Sequence, residues 1–317
     1  MRERRLRIMG SSNSTAAATA EAATPEVLAL FKLHTSLGGA HWRTPANWLQ
    51  QTELCQPGVK LTGVRCRARA VDVINLSDND LAGTLPTQIG VLTTLQELRL
   101  NSGSISGTLP TQLARLSNLR VLSAHSNRIT GTLPTQTARL GELNVLDLDD
   151  NSLSGTLPAF VGHLEKLKRL ELHANSLSGT LPIFASSRLT TLDMEENSLV
   201  GSIPTQIGIL NELREFRVAK NKLSGSLPVS MAALNIHDLT VDWKQLNGGQ
   251  RPPWVRRNRG RSGRLKHFAT LGTPYDNRTA LPDDSDEAVA LEGEMKALEE
   301  FKMKVGGGLL LRKRDEL

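Results

Sequence analysis

A Leu-Pro or Ile-Pro step recurs seven times along the middle of this chain, and its spacing constrains the fold more than any other feature. Successive steps lie 24 residues apart except for one interval of 22, and a glycine precedes each proline by three residues. Self-similarity with a period of about 20–50 residues is typical of arrays whose units stack on their neighbours. The middle of the 317-residue chain is therefore predicted to form a row of stacked units. The seven prolines are Pro86, Pro110, Pro134, Pro158, Pro182, Pro204 and Pro228.

Upstream of each glycine runs the pattern L-x-x-L-x-L-x-x-N-x-L, the signature of leucine-rich repeats, as in Leu143, Leu146, Leu148, Asn151 and Leu153. Each L-x-L segment predicts a short strand, and strands stacked at about 4.8 Å form a parallel sheet along one curved face. The predicted fold class is an α/β solenoid, a leucine-rich-repeat horseshoe of about eight repeats over 71–248, with parallel strands on its concave face. We place the units at 71–94, 95–118, 119–142, 143–166, 167–188, 189–212, 213–235 and, in decayed form, 236–248.

An N-terminal helical cap is predicted over residues 25–70, because a solenoid exposes the leucines of its first unit unless something covers them. Thr24, Pro25 and Glu26 form a helix start, with an N-cap residue, a proline at the first helical position and an acid in the first turn. Gly38-Gly39 ends the pattern. We expect one amphipathic helix, whose periodic positions are Val27, Leu30, Phe31, His34 and Leu37.

The cap also contains tryptophans, Cys55 and the run Gly63-Val64-Arg65-Cys66, and repeats carrying L-x-G-x-L-P follow it. In these motifs, over residues 25–248, the chain resembles the plant-type leucine-rich-repeat family. The resemblance implies an extracellular or secretory-pathway protein, since members include receptor ectodomains and secreted inhibitors. It also implies a disulfide between Cys55 and Cys66, the two cysteines of the chain. Leu61 departs from the family, which commonly carries Trp two residues before the Gly-Val pair.

One asparagine recurs where each unit turns inward after its strand. Its amide both donates and accepts hydrogen bonds and can satisfy backbone groups at that turn, so we interpret the column as structural. Gly103 replaces it in the second unit and Lys244 in the eighth. A buried backbone group left unpaired near Gly103 would cost about 1–3 kcal/mol unless water substitutes. The column consists of Asn79, Asn127, Asn151, Asn175, Asn197 and Asn221.

Residues beside the buried leucines of each strand point outward, so successive units form lateral columns of side chains where ligand binding is expected. These columns are acidic in units four to six and bordered by cationic residues. Such zoning suits a partner with a basic centre, because complementary potentials raise association rates and select partners. The alternative is that solvated strand faces are charged in any case. The candidate binding residues are Arg99, His125, Asp147, Asp149, Asp150, Glu171, His173, Asp193, Glu195, Glu196, Arg217 and Trp243.

Three members of that set, His125, Asp149 and His173, share one column and raise the question of a metal. The two histidines lie two strands apart, about 9–10 Å at the backbone, whereas zinc ligands approach the ion to about 2 Å. We therefore expect no metal and no cofactor, and favour a pH-dependent contact with an anionic partner. Trp243 is the one aromatic candidate at the end of the face, either as an anchor or as packing in the cap.

The segments outside the array carry charge rather than a repeat. Residues 1–24 are interpreted as a disordered basic and Ser/Ala-rich leader, or a transit peptide, because they lack the apolar core of a secretory signal. Residues 249–284 are interpreted as a basic disordered linker, 285–305 as an amphipathic helix and 306–317 as a tail. The Arg251–Lys266 stretch could bind nucleic acid or anionic lipid through phosphates. No RNA-binding module accompanies it, so a solvated linker is favoured.

Two short motifs bear on processing. N-x-S/T sequons begin at Asn13, Asn75 and Asn277, although such motifs also arise by chance. Asn75 is expected to project from the first strand, where a glycan would cover part of the outward face. The last four residues, Arg314 to Leu317, resemble a K-D-E-L-type retention signal.

The motif search predicts a binding protein rather than an enzyme. No G-x-x-x-x-G-K-[ST], H-E-x-x-H or G-x-S-x-G motif occurs, and no stretch reaches the roughly 18 apolar residues of a bilayer span. The predicted function is recognition of a protein or peptide on the concave face, and a glycan is also a compatible ligand. The alternatives are a fragment of a receptor ectodomain, an inhibitor of another enzyme, and an intracellular scaffold that uses the basic tail.

Overall fold

The structure, a computed structural model, describes residues 24–47, 54–58, 60–185, 188–242 and 245–246, together with the backbone of 267–270. Over these residues the chain forms an open stack of leucine-rich repeats with a helical cap at its N-terminal end, as predicted. Several predictions lie outside the described residues. They concern the leader, Trp243, Lys244, the Arg251–Lys266 stretch, the helix at 285–305 and the tail at 306–317.

The L-x-L segments lie in an inner sheet, which has ten strands within the described residues. These strands lie side by side in chain order, and the strands between them in the sequence belong to a second sheet. Strand β1 is antiparallel to β2, and the remaining pairs are parallel. The strands are β1 Val64–Arg67, β2 Ala70–Asn75, β4 Glu97–Arg99, β6 Val121–Ser123, β8 Val145–Asp147, β10 Arg169–Glu171, β12 Thr191–Asp193, β14 Glu215–Arg217, β16 Asp238–Val241 and β17 His267–Thr270.

The register of the inner sheet aligns leucine with leucine. Leu98 pairs with Leu122, which in turn pairs with Leu146, and all three are buried in one continuous core. Between the strands and the turns, backbone bonds continue the pairing, as from the Leu148 N–H to the Glu171 carbonyl at 2.9 Å. Because side chains alternate along a strand, the residues on either side of each leucine face the concave surface.

A second parallel sheet, which the sequence did not predict, is built from short strands that come after the inner-sheet strand of each of the first seven units. It comprises β3 Ala82–Thr84, β5 Ser104–Thr108, β7 Arg128–Gly131, β9 Ser152–Thr156, β11 Ser176–Gly179, β13 Ser198–Gly201 and β15 Lys222–Leu223. A 3-10 helix follows directly after six of the seven repeat prolines, whose fixed φ suits a turn entry. These helices span Thr87–Val91, Thr111–Arg115, Thr135–Arg139, Ala159–His163, Thr205–Ile209 and Val229–Ala233.

The recurring asparagine joins each unit to the one before it. The Asn175 Oδ1 accepts the Leu153 N–H at 2.9 Å, and its Nδ2 lies 3.0 Å from the Leu148 carbonyl oxygen of the same preceding unit. Asn127, Asn151, Asn197 and Asn221 make the corresponding contacts. Asn79 instead bonds the cap, where its Oδ1 accepts the Thr44 N–H at 2.6 Å.

Gly103 replaces this asparagine in a space that is already closed. A Cβ at that position would lie 2.8 Å from Asn127 Oδ1 and 3.0 Å from the Leu81 carbonyl oxygen. The Gly103 N–H bonds the Ser126 carbonyl at 3.0 Å, which is the same bond to the next unit that the Asn127 N–H makes to Asp150 at 3.1 Å. Restoring asparagine there would require its neighbours to move.

The cap helix, α1, spans Pro25–Ser36 and begins as predicted, with the Thr24 hydroxyl accepting the Val27 N–H at 3.4 Å. Its buried face is formed by Ala29, Leu30 and Leu33. Phe31, which belongs to the apolar pattern predicted for the helix, is 51% exposed and does not lie on the buried face. The packed face is rotated toward Ala29 because the helix lies against the first unit through its small and branched residues.

A disulfide joins Cys55 and Cys66 and closes the loop that leads to β1. The indole N–H of Trp42 donates to the Leu37 carbonyl at 2.9 Å, fixing the chain just after α1. The predicted disulfide is thus present.

At the other end, strand β17 pairs in parallel with β16. The sequence did not predict this strand, which lies within the stretch 249–284 interpreted as a linker. No helix within the described residues has the length and apolar character needed to cross a bilayer.

Candidate functional site

The concave surface carries lateral columns of side chains that the strand register sets. The central column, two members of which are Asp147 and Glu171, continues strand by strand from β2 to β16 of the inner sheet. Its members are Asn75, Arg99, Ser123, Asp147, Glu171, Asp193, Arg217 and Thr240. Two residues further along each unit lie His125, Asp149, His173 and Glu195, and one residue beyond them Asp150 and Glu196. The described candidate residues thus lie on neighbouring units of one face.

Four of the seven candidate carboxylates are paired with cations of the same face. The pairs are Glu171 with Arg169 at 2.6 Å, Asp193 with Arg217 at 3.1 Å, and Glu195 and Glu196 with Lys220 at 3.6 and 3.4 Å. Hydrogen bonding to Glu196 raises the pKa of Lys220. Much of the negative charge predicted for units five and six is therefore balanced within the protein.

Arg217 is the centre of the largest of these clusters. Its guanidinium contacts Asp193 at 3.1 Å, Glu215 at 3.1 Å and Asp238 at 2.6 Å. Although burial alone would lower the pKa of Arg217, hydrogen bonds to Asp238 and Asp193 raise it above its ordinary value. Arg217 is engaged by three carboxylates rather than free to border the face.

The sequence reasoning missed a third column on this face. Arg169, Glu215 and Asp238 each lie two residues before the central column, on the same side of the sheet. The alternation of side chains along a strand, which predicted the other columns, also places these residues on the concave face. The residue just before each L-x-L segment belonged in the candidate set.

The acidic centre, which we define as Asp147, Asp149 and Asp150 of the fourth unit, is different. Asp147 Oδ2 lies 2.7 Å from the Ser123 hydroxyl, while Asp147 Oδ1 is buried and has no hydrogen-bond partner among the described residues. Asp149 Oδ1 accepts the backbone N–H of His173 at 2.6 Å. Within the described part of the chain, no Lys or Arg forms an ion pair with these three carboxylates.

Asp149 is the most perturbed group of the centre. Burial raises its pKa to about 8, the negative charges of Asp147, Asp193 and Glu171 add to the rise, and the hydrogen bond from the His173 N–H opposes it. The centre therefore retains a proton near neutral pH. A cationic group placed beside it would release that proton.

Replacing Asp149 by asparagine is expected to stabilise the protein at pH 9 and to leave its stability unchanged near pH 4. A carboxyl whose folded pKa lies near 8 holds a proton that the unfolded chain releases above about pH 4, so its contribution to stability falls as pH rises through that window. After discounting for partial solvation, we expect a gain of about 1–2 kcal/mol at pH 9. Urea unfolding of Asp149→Asn and the parent at both pH values measures it, and a pH-independent difference would contradict the assignment.

The two candidate histidines have separate polar neighbours. His125 Nδ1 lies 3.2 Å from the Ser126 hydroxyl, and His173 Nε2 lies 3.7 Å from Asp150 Oδ1. Over the residues with described side chains, no group of three or more His, Cys, Asp or Glu side chains is arranged to hold a metal ion. His173 therefore belongs with the acidic centre.

Comparison with known proteins finds similarity in the repeats and in the fold. The Leucine Rich Repeat family model matches residues 142–164 and 188–210. The crystal structure of PEPR1-AtPEP1 is 28% identical, with a TM-score of 0.59, over 68% of this chain and 32% of that one. The leucine-rich-repeat ectodomain of the receptor kinase GASSHO1/SCHENGEN3 from Arabidopsis thaliana is 26% identical, with a TM-score of 0.50, over 68% of this chain and 33% of that one.

A plant ice-binding protein is also similar in fold, at 20% identity and a TM-score of 0.54 over 81% of this chain and 98% of that one. No curated protein sequence matches the chain.

The stacked units, the capped N-terminal end and the open concave sheet define a leucine-rich-repeat solenoid protein. More particularly, the chain is a plant-type leucine-rich-repeat protein, as its cap motifs and its similarity to plant receptor ectodomains show. It spans about a third of the length of the two receptor ectodomains.

Proposed function

We propose that this protein is a non-enzymatic recognition module that binds a protein or peptide on its concave face, with a cationic side chain of the ligand seated at the acidic centre. The observation that carries the proposal is the charge balance of the face. Glu171, Asp193, Glu195 and Glu196 have cationic partners in the protein. Asp147 and Asp149 instead rely on a hydroxyl and a backbone N–H.

Two features favour an arginine or lysine of the ligand. The orphan Asp147 Oδ1 lacks the donor that a buried carboxylate oxygen needs, and an unmet buried acceptor costs about 1–3 kcal/mol. The pKa of Asp149 is raised first by burial, and the negative charges of Asp147, Asp193 and Glu171 raise it further. A guanidinium or ammonium group would satisfy both, since charge-assisted hydrogen bonds are stronger than neutral ones.

The structural neighbours support the class of ligand. The GASSHO1/SCHENGEN3 ectodomain was crystallised in complex with CASPARIAN STRIP INTEGRITY FACTOR 2. The disulfide between Cys55 and Cys66 favours an oxidising compartment, and hence the extracellular or secretory setting over an intracellular scaffold.

The test uses pairs of synthetic peptides that differ only in a central Arg-Lys or Glu-Glu dipeptide, measured by calorimetry against the full chain at pH 7.5. We expect the Arg-Lys members to bind and the Glu-Glu members not to bind. Replacing Asp149 and Asp150 together by asparagine should weaken the Arg-Lys peptides about tenfold, equivalent to about 1.4 kcal/mol. Both substitutions keep the side-chain size and replace one carboxyl oxygen by an amide nitrogen, so neither side chain can become an anion.

Asp78→Asn is the matched control, because Asp78 occupies in the first unit the position of Asp150 in the fourth. Both residues have positive φ, 58° and 50°. If binding falls equally in Asp78→Asn, or persists in the double variant, the acidic centre does not bind the ligand.

A further inference from the structure

Asn75 stands apart from the other asparagines of the concave side. It is the last residue of β2, it is exposed, and it begins the sequon Asn75-Leu76-Ser77. The amide nitrogens of the recurring column, such as that of Asn151, donate to backbone carbonyls. Asn75 Nδ2 donates to no acceptor within the described residues, and its Oδ1 accepts the Ser77 N–H at 3.2 Å.

The surroundings of Asn75 leave room for a bulky attachment. On one side, Asn75 lies next to Arg99 of β4 in the central column. On the other side, the pairing of β1 with β2 ends at Val64 opposite Ile74, so no residue of β1 lies opposite Asn75. The Asn75 backbone N–H is bonded to the Gly63 carbonyl at 2.7 Å, so the strand end is fixed while its side chain faces solvent. A substituent on Nδ2 would displace no packed group.

The disulfide supplies a second, independent observation. A bond between Cys55 and Cys66 forms and persists in the oxidising secretory pathway, which is also where N-x-S/T asparagines are glycosylated. No asparagine of the recurring column begins a sequon, because a leucine or isoleucine stands two residues after each. Among residues with described side chains, the sequon therefore falls on an asparagine that can be modified without breaking the stack.

We propose that Asn75 carries an N-linked glycan. The donor is a polyprenyl-diphosphate-linked oligosaccharide. A bond forms between Asn75 Nδ2 and the anomeric carbon, the bond from that carbon to the diphosphate oxygen breaks, the diphosphate leaves with the bonding electron pair, and the amide loses a proton.

The glycan limits where a ligand can lie. Strand β2 is three strands from β8, about 14 Å along the sheet, so the glycan covers the cap end of the concave face and leaves the acidic centre open. A ligand approaching the centre must therefore lie toward units four to seven. This inference holds whatever the ligand is.

The experiment expresses the full chain behind a secretion signal in insect cells and analyses the peptide containing Asn75 by mass spectrometry before and after peptide-N-glycosidase. We expect a glycopeptide that the enzyme converts to a peptide with Asp at position 75. In an Asn13→Gln/Asn277→Gln background, one glycan should remain, and Asn75→Gln should remove it completely.

Asn75→Gln keeps an amide, so its secretion and melting temperature show whether the variant folds. The parent peptide is diagnostic on its own if a variant is not secreted. A secreted parent protein with unmodified Asn75 would overturn the proposal. So would parent protein from this host whose Cys55 and Cys66 react with an alkylating agent, since the shared-compartment premise would then be lost.

Discussion

Replacing Gly83 by alanine is expected to lower the free energy of unfolding by about 2–5 kcal/mol and to loosen the cap from the first unit. Gly83 lies in β3 with φ of +113°, which costs an L side chain about 1–2 kcal/mol. An alanine Cβ would also overlap the Ser36 carbonyl oxygen at the end of α1. The overlap is with backbone, so α1 must shift, and disturbed packing of this kind costs about 1–3 kcal/mol more. Urea unfolding monitored by circular dichroism measures the loss.

Gly225→Ala is the matched control, because this glycine has the same place in its own unit. Its φ is +84°, and a Cβ there would make only ordinary contact with Ser202 Cβ at 3.5 Å. We expect a loss of about 1–2 kcal/mol from the backbone conformation alone. Equal losses in the two variants would show that the approach of α1 to Gly83 is not what makes the first unit sensitive. Amide exchange in α1 should rise only for Gly83→Ala.

The leucine core and the concave columns could be predicted because two periodicities coincide. The 24-residue repeat fixes which residues are equivalent, and the alternation along a strand fixes which of them face outward. Asp147 was therefore placed beside Glu171 from the sequence, and the register pairs them. Local capping chemistry identified the start of α1 at Pro25 for a similar reason, since the N-cap hydroxyl acts within one turn.

The second sheet escaped prediction because its strands, although they repeat, lack the alternation of apolar and polar residues that is typical of a strand. Segments such as Ser152–Thr156 consist of Ser, Leu, Gly and Thr, with one buried residue each, and glycine is depleted in strands. Their pairing follows from the stacking of units. The exposure of Phe31 could likewise not be predicted, because helical spacing identifies a stripe of residues along one side of a helix but not which of them lie at the centre of the packed face.

The sequence located the charged residues of the concave face but not the ion pairs that they form. The sequence shows that units four to six are acidic, but whether a carboxylate is neutralised depends on which cations reach it across one or two strands. Arg217 joins three carboxylates from three strands, whereas no cation of the described chain reaches Asp149. The high pKa of Asp149 needs burial as well as neighbouring charge, and burial of an outward residue is a property of the assembled face.

Replacing Asn175 by alanine is expected to destabilise the array by about 2–4 kcal/mol, although the hydrogen bonds of the side chain all go to backbone groups. The change removes the acceptor of the Leu153 N–H, at 2.9 Å, and the donor shared by the carbonyls of Leu148, Leu172 and His173, at 3.0–3.2 Å. Each buried backbone group left unpaired costs about 1–3 kcal/mol. Two adjacent units lose their joint, so unfolding should also become less cooperative, with a smaller denaturant dependence in urea.

Two further variants distinguish the loss of these hydrogen bonds between units from the general effect of shortening a side chain. Ser176→Ala changes the next residue, which is exposed, and should alter stability by less than about 0.5 kcal/mol. Asn175→Asp keeps the size and the acceptor but presents an ionised oxygen to three carbonyls, so it should be as harmful as alanine at pH 7 and recover partly in acid, where a protonated carboxyl can donate. An aspartate variant as stable as the parent at pH 7 would show that the donated bonds contribute nothing, and the joint would then rest on leucine packing alone.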